Sequence, residues 1–576
     1  MNTKYLRIGL IFCSYLILTL IATYPTWMNL SSSIPGPRED NQQNYWTVWW
    51  FHRAIAEEHI DPWTCQLLYY PNGAHLGLHD VGPAYTFPGT LFAALLGPVA
   101  AYNLLVLMAF PLSAFAMYLL TRNMGLSYVA AWGSGIVYGF APYLPVHGQH
   151  HLQQTGIHWF PLLVLCLRRI RVSGSSKWIV GAVLCYAMAA YSSLYFAVFA
   201  ALLSGFILLF NMWKDRSMIR VILIRISLFA LLCMVVLMPR FLLVRDAMKE
   251  GAEYGAPGAM AYSADLLGII IPPYTHPLWG SAFEASHAFG AGTPWEFEYL
   301  GVASLILAAM GLISIRQPTL WRWALLTGVF TVLSLGPLLH IGGDVVMGRP
   351  LPYALFVEPV PVLNGVRVPL RFTLLAILGL SVVAGFGIER LTRQRGYGFV
   401  GILAGFIVFV DFLQIPLETT EKPEAPAHIA LVTAHPDINA FLDLPVDDYS
   451  TRMRAEYCQT VHTRPIVTGA IGRDPAHFLA ILDSIPELKG VGTTWDFLYD
   501  DSNPFDSTTV VKIRQMGIGG VVVHREGMGD REDGTLHTLS SILGPPLFTN
   551  EEFLAWPVES DDRLTVSQGD GGGFHE

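Results

Sequence analysis

The sequence predicts a mainly α, polytopic membrane protein with about eleven transmembrane helices and a small extracytoplasmic α/β domain at its C-terminal end. Three observations predict it. Of the 576 residues, 53% are hydrophobic and only 14% are charged, with a mean hydropathy of +0.44, whereas a soluble domain carries about 25% charged residues. Apolar runs of helical length recur from residue 6 to residue 415 and then stop. Lys and Arg gather in alternate connections between those runs, which fixes an orientation. The net charge of −9 argues against nucleic acid as a partner.

The opening run, residues 6–28, is long enough at ~1.5 Å per residue to cross a hydrocarbon core of roughly 30 Å. It exceeds a signal-peptide core and has no small-residue cleavage site after it, so it is expected to remain as an anchor. Further runs lie at 98–120, 126–143, 156–170, 177–192, 194–213, 218–239, 299–315, 320–339, 371–389 and 396–415. Residues 86–97 are too short to span and read as a re-entrant or interfacial helix. The basic connections include Lys4 and Arg7, Arg122, Arg168 with Arg169, Lys214, Arg316, and Arg390 with Arg393. Placing these inside puts the N-terminus in the cytoplasm and the C-terminal domain outside.

The outer connections, 29–97, 144–156, 240–298 and 340–370, are long, and loops of more than about 12–15 residues are usually functional. The membrane domain is expected to end at 415, with a polar linker at 416–435, an α/β domain at 436–568 and a disordered tail at 569–576. Within that domain Gly520 to His524 reads as a buried strand and Ala476 to Leu482 as a short helix. Of six cysteines, only Cys65 and Cys458 fall in outer segments. A disulfide between them is one option, although sequence separation says nothing of the Cα distance it needs.

The chemistry-bearing residues collect on the outer side. Arg38-Glu39-Asp40-Asn41 follows the first span, and Tyr45 to Phe51 after it reads as a helix in the interface. A carboxylate placed there can take the proton of an acceptor as a sugar leaves its lipid phosphate, an inverting transfer that needs one base. The alternative is a solvated acid paired with Arg38. In the same loop His79 and Asp80 suit substrate binding; Asp80 could hold Mg or Mn jointly with Asp40, bind a sugar hydroxyl, or stabilise a turn. His147, His150 and His151 crowd the loop between the third and fourth spans at a spacing that fits no common zinc pattern, which favours hydrogen bonding to substrate or phosphate. Arg367 and Arg371, in GVRVPLRF, suit bidentate capture of a phosphate, with snorkelling to headgroups as the alternative. Arg240 and Arg245 read as snorkelling. Glu296 and Glu298, at the start of the eighth span, either face a cavity or mark the water boundary, and Asp411 is placed near the outer end of the eleventh.

The stretches REDNQQNYWTVWW, YYPNGAHLGLHD, GPVAAYNLLVLMAF, APYLPVHGQHHLQ, EFEYLG and NGVRVPLRF, in this order along the membrane region, resemble the C-type (GT-C) glycosyltransferases. Within them the chain is most similar to bacterial membrane proteins related to the YfhO and dolichyl-phosphate-mannose mannosyltransferase-like groups. The resemblance implies an enzyme of the bacterial plasma (inner) membrane that moves a hexose or pentose from a polyprenyl-phosphate-linked donor to a glycan, lipid or protein acceptor. It also implies Asp40 as the catalytic member of the acid pair. The chain departs from the family in having no DxD in the first loop, which puts dependence on a divalent cation in question. A transporter and a non-catalytic membrane scaffold are the rival classes. Against the first, no internal repeat is evident and the polar groups collect at the outer face rather than at mid-membrane depth.

Overall fold

The computed structural model describes residues 3–173, 175–214, 219–249, 259–289, 299–314, 320–346, 348, 350–357, 359–360, 366–395, 398–485, 487–488, 506–528 and 532–558. Each of the eleven apolar runs coincides with a helix. In chain order the helices of this part are α1 (Thr3–Ala22), α2 (Asp40–His52), α3 (Pro83–Leu96), α4 (Pro98–Asn123), α5 (Tyr128–Gly139), α6 (Tyr143–His150), α7 (Trp159–Ser173), α8 (Lys177–Ser192), α9 (Leu194–Lys214), α10 (Ile219–Met248), α11 (Val302–Ser314), α12 (Trp321–Ser334), α13 (Pro352–Phe356), α14 (Thr373–Arg395) and α15 (Gly398–Asp411). Among the described residues, four segments are long and apolar enough to cross a membrane: Tyr5–Ala22, Pro98–Asn123, Leu223–Met248 and Pro369–Arg393. Other apolar helices are shorter, so length and composition alone do not reach the expected count.

The α14 helix is the axis of the membrane part. Its apolar window is wholly buried, against α5, α11, α12 and α15. Small residues make that possible, because without a hydrophobic drive between helices close backbone approach supplies the packing. A Cβ on Gly387 would run into the carbonyl of Leu307 on α11, and one on Gly379 would meet Trp323 and Thr327 on α12. By contrast α1 exposes Leu6, Leu10, Ile17 and Leu20 on its outer side.

The C-terminal domain, the one expected on the outer side, is built on a four-stranded sheet, and its first strand comes after two short pieces. Strand β1 (Ser33–Pro35) pairs antiparallel with β6 (Thr419–Glu421), and α16 (Pro426–Ala434) follows. The segment expected as a linker is therefore ordered: it closes a small sheet on the first loop and then starts the outer domain. The short hairpins β2 (Thr64–Cys65) with β3 (Ala74–His75), and β4 (Leu339–Ile341) with β5 (Asp344–Val346), lie in the first and last outer loops. The main sheet comprises β7 (Phe441–Leu444), β8 (Gly520–His524), β9 (Phe548–Thr549) and β10 (Phe553–Pro557), in the order β7-β8-β10-β9 with β7 and β8 parallel. Helices α17 (Tyr449–His462), α18 (Ala476–Ser484), α19 (Ser507–Gln515) and α20 (Glu532–Leu543) complete it. The expected strand at Gly520–His524 is buried throughout, and the helix expected at Ala476 runs to Ser484. The tail lies outside the described residues.

One core spans both parts. Trp46, Trp50, Phe51, Cys65, Leu68 and Tyr69 of the first outer loop pack in the same cluster as Leu431, Phe441, Val521 and Trp556 of the outer domain. The α2 helix is thus not an interfacial helix. Asn41 to Phe51 are all buried, because α17 covers the side that a membrane surface would otherwise take. Trp46 donates to Gln459 at 2.7 Å and Gln43 to Tyr449 at 3.2 Å. Cys65 and Cys458 are both free and buried, so the disulfide option does not hold.

Candidate active site

The acid pair is positioned from both sides. Gly36, at a left-handed φ of +100°, turns the chain out of β1 toward α2; its N–H donates to the Glu418 carbonyl at 2.7 Å. A Cβ there would run into the carbonyl of Gln149, so this turn requires glycine. Glu39 is the N-cap residue of α2 and Asp40 its first residue, where the helix dipole favours a carboxylate. Asn41 donates to the Pro35 carbonyl at 3.0 Å and to Thr420 at 3.3 Å, and Asn44 donates to the carbonyls of Asp40 at 2.6 Å and His150 at 2.9 Å. These amides fix the acids against α6, so the segment expected as a histidine-bearing loop is a short helix ending at His150.

Two histidines then face the acids, with a third, His147, packed behind them. Asp40 Oδ2 lies 3.1 Å from His151 Nε2, and Glu39 Oε2 lies 3.4 Å from His150 Nδ1. Arg371, buried in the turn before α14, places a guanidinium nitrogen 3.3 Å from the same His151 Nε2 and stacks over the Tyr195 ring at 4.8 Å. One ring nitrogen therefore faces a carboxylate and a guanidinium. It donates to Asp40 when protonated and accepts from Arg371 when not, so the His151 proton decides which of them it binds. His147 stacks on Tyr143 at 4.0 Å and hydrogen-bonds the Tyr143 carbonyl. Burial, then Arg371 and His151, holds its pKa well below the usual imidazole value, which keeps the ring neutral.

Asp80 occupies a different environment. It accepts from Ser193 Oγ at 2.7 Å, from the Leu194 N–H at 3.2 Å at the start of α9, and from Gln154 at 3.5 Å. His79 Nε2 pairs with Thr47 at 3.1 Å, and its Nδ1 accepts from the Gly472 N–H of the outer domain at 3.4 Å. Burial, with Arg240 beside it, lowers the His79 pKa to about 4. Arg240 is itself buried, donates to the His79 carbonyl at 3.3 Å and lies over the Trp63 ring. The snorkelling expected of Arg240 is thus corrected: the long first loop folds back over the end of α10 and removes the side chain from any headgroup. Arg245 is exposed and pairs with Asp246.

The two aspartates are driven apart in acidity. Burial raises Asp40, but the hydrogen bond and charge of His151, with His150 and Arg371, more than reverse this, and its carboxyl sits below the usual range. For Asp80 burial wins over Ser193, Arg240, Leu194 and Arg371, and the pKa is raised. Arg371 acts on both acids. Asp40 is thus biased toward the ionised form and Asp80 toward the neutral one.

The structure gathers Asp40, Glu39, Asp80, His79, His147, His150, His151 and Arg371 at one end of the helices, on the side of the C-terminal domain. Arg367 is half-buried and takes no part in the hydrogen bonds described for this cluster. Glu296 and Glu298 lie outside the described residues. Asp411 accepts from Tyr299 at 2.7 Å and from the Ala303 N–H at 2.9 Å, capping α11. Sequence reading missed Ser193 and Tyr195, which carry no motif.

Of two cavities, the polar one includes a member of the cluster, Glu39, in its wall, and the apolar one includes none. A polar cleft of about 630 Å3, lined by Arg38, Glu39, Gln42, Arg454, His524 and Glu552 among others, opens between the first loop and the outer domain. Arg38 pairs there with Glu552 at 2.7 Å, not with the acid pair, and Glu552 also holds Arg454 at 2.8 Å. An apolar groove of about 790 Å3 runs between α11 and α15, with Ile271, Trp279, Met310 and Phe406 in its walls and Tyr299 and Asp411 at its polar end. Tyr274, two residues beyond Pro272 of that wall, lies within the field of Glu418 and Glu39, which together with burial raise its phenol.

Residues 6–413 match the model of a family described as a domain of unknown function (DUF6311), and the chain belongs to that family. No curated protein matches the sequence. Among solved structures, the fold is similar to that of ArnT from Cupriavidus metallidurans bound to undecaprenyl phosphate. That match has 11% identity and a TM-score of 0.53, and covers 97% of this chain and 99% of that one. It is also similar to the arabinofuranosyltransferase AftD from Mycobacteria, at 14% identity and a TM-score of 0.60, covering 98% of this chain and 42% of that one. A third similar structure is the Archaeoglobus fulgidus oligosaccharyltransferase, at 11% identity and a TM-score of 0.50, covering 94% and 71%. At these identities the likeness is one of fold.

Proposed function

Taking the chain as a member of this family on a glycosyltransferase fold, we propose that it is an integral membrane glycosyltransferase. It moves a sugar from a polyprenyl-phosphate donor to an extracytoplasmic acceptor, with Asp40 as general base. The observation that carries this reading is the separation of the two half-buried aspartates, Asp40 biased toward the ionised form beside His151 and Asp80 toward the neutral form, with Arg371 acting on both.

The reaction follows from the placement of charge. An acceptor O–H or N–H attacks the anomeric carbon, the bond from that carbon to the phosphate oxygen breaks, and polyprenyl phosphate leaves. The acceptor's proton passes to Asp40, which serves one inverting displacement. Arg371 and Arg240 are the donors available to the leaving phosphate. The polar cleft beside Glu39 is the acceptor's approach, and the apolar groove is suited to a prenyl tail. Asp80 already uses both oxygens on Ser193 and Leu194, so the Mg or Mn shared by Asp40 and Asp80 in the sequence reading would require it to give them up. The proposed chemistry rests on the arginines instead. The proposed setting is a bacterial plasma membrane, with the N-terminus cytoplasmic and the C-terminal domain outside.

The test is lipid extraction and mass spectrometry of the protein purified from membranes in mild detergent. Polyprenyl phosphate or its glycosylated form is expected to co-purify and to be reduced in Arg371→Ala. A protein that retains no such lipid, and does not take it up when it is added, contradicts the reading.

A further inference from the structure

A second cluster of titratable groups lies inside the outer domain and plays no part in the chemistry above. Asp443 on β7, His524 on β8 and His428 on α16 converge in the core of that domain. Asp443 Oδ1 lies 2.9 Å from His428 Nε2 and 2.7 Å from His524 Nε2, and the three ligand atoms all fall within 4.8 Å of one another. Asp443 and His428 are 0% exposed and His524 4%. Among the described residues no other set of three or more His, Cys, Asp or Glu side chains converges so closely.

The charge balance is what needs an explanation. A carboxylate removed from water is costly unless a cation pairs with it, and the described ion pairs of Asp443 are to these two histidines alone. The second oxygen, Asp443 Oδ2, is buried with no hydrogen-bond partner. Arg454 lies over the Phe553 ring and acts on His524, but its described ion pair is with Glu552; Phe441 and Phe553 pack edge-on against the His428 ring, and His462 stacks on it at 4.5 Å.

We propose that His428, Asp443 and His524 form a divalent metal site of the zinc type. Two imidazole nitrogens and one carboxylate oxygen suit zinc better than magnesium or calcium, which take oxygen ligands. At metal–ligand distances of about 2.0–2.2 Å a tetrahedral site has edges of roughly 3.3 Å, so the two carboxylate–imidazole edges need to open by only about half an ångström, while the imidazole–imidazole edge, now within 4.8 Å, comes to the same length. The fourth position falls to Asp443 Oδ2 or to a water from the polar cleft, which His524 also lines. Such an ion clips α16 to the paired strands β7 and β8, joining the segment that pairs with the catalytic loop to the core of the outer domain. Its place in the chain explains why no spacing motif signals it: the ligands stand at 428, 443 and 524, each on a different element.

The experiment uses the full chain purified in detergent, stripped with chelator and titrated with Zn2+ and with Co2+. The wild type is expected to take up one ion per chain, to show the visible absorption of a tetrahedral Co2+ complex, and to unfold at higher temperature when loaded. His428→Gln and His524→Gln are each expected to weaken uptake by more than the roughly 10–100-fold typical of losing an outer-shell partner. Asp40→Asn and Asp80→Asn are expected to leave it unchanged. A wild type that binds no ion stoichiometrically overturns the proposal, whatever the variants do. So does an ion lost on changing Asp40 or Asp80 and kept on changing His428 and His524. Neither outcome depends on whether the chain transfers a sugar.

Discussion

Arg371 is the residue whose replacement separates donor capture from catalysis most cleanly. It is 6% exposed, stands 3.3 Å from His151 and lies over Tyr195. In Arg371→Ala a phosphate loses a buried, charge-assisted donor, and truncating one partner of such a pair costs about 2–5 kcal/mol. At about 1.4 kcal/mol per tenfold, that is roughly a 30- to 5,000-fold loss in donor affinity. Arg371→Lys keeps the charge but not the planar fork, so its loss should fall between wild type and Ala. Asp40 also loses a cation, although Arg371 is a smaller influence on it than His151 and His150, so the rate at saturating donor should change much less than affinity. Arg367→Ala is the internal control and should bind as wild type does. The assay is equilibrium binding of tritiated polyprenyl phosphate to the protein in nanodiscs, with folding checked by gel filtration. Unchanged affinity in Arg371→Ala would remove the phosphate-capture argument and leave the arginine a structural cation for Asp40.

Three further outcomes follow from the same geometry. A reporter fused after the last residue should be active only on the extracytoplasmic side; cytoplasmic activity would invert the topology and with it the site. Glu456, buried in the outer domain, has its pKa raised to about 8 by burial, against the Ala470 N–H and Arg452. The folded state therefore holds a proton that the unfolded chain has released, and stability falls as pH rises from about 4.5 to about 8, by about 3 kcal/mol between pH 5 and pH 7.5. Glu456→Gln should flatten that slope in thermal unfolding, and an unchanged slope would show that Glu456 is not its source. Gly36→Ala, which combines a left-handed φ with a clash against the Gln149 carbonyl, should cost more than about 1 kcal/mol and reduce transfer by displacing the acid pair, as judged by unfolding and activity together.

Much of the helical framework was legible because apolar length is a local property: every run read from the sequence coincides with a helix. The acid pair, the three histidines and Arg371 were legible as polar groups placed at the outer ends of those runs. What could not be read is what covers what. Tyr45 to Phe51 has the aromatic content of an interfacial helix, and only the distant α17 shows that it is buried. Arg240 ends an apolar helix as a snorkelling arginine does, and only the folding back of the first loop puts it beside His79. The polar segment 416–435 reads as a linker because its order comes from pairing with β1, more than 380 residues earlier. His428, Asp443 and His524 meet only once the sheet has formed.

The most direct test of the central claim is sugar transfer from a radiolabelled polyprenyl-phosphate donor in proteoliposomes, comparing wild type with Asp40→Asn. The asparagine keeps the shape and one hydrogen-bonding oxygen but cannot take the acceptor's proton, and a general base contributes typically 10²–10⁴-fold. The account predicts transfer by the wild type, a loss of at least about 100-fold in Asp40→Asn with donor binding intact, and a smaller loss in Glu39→Gln. Transfer by Asp40→Asn and Glu39→Gln at the wild-type rate would contradict it.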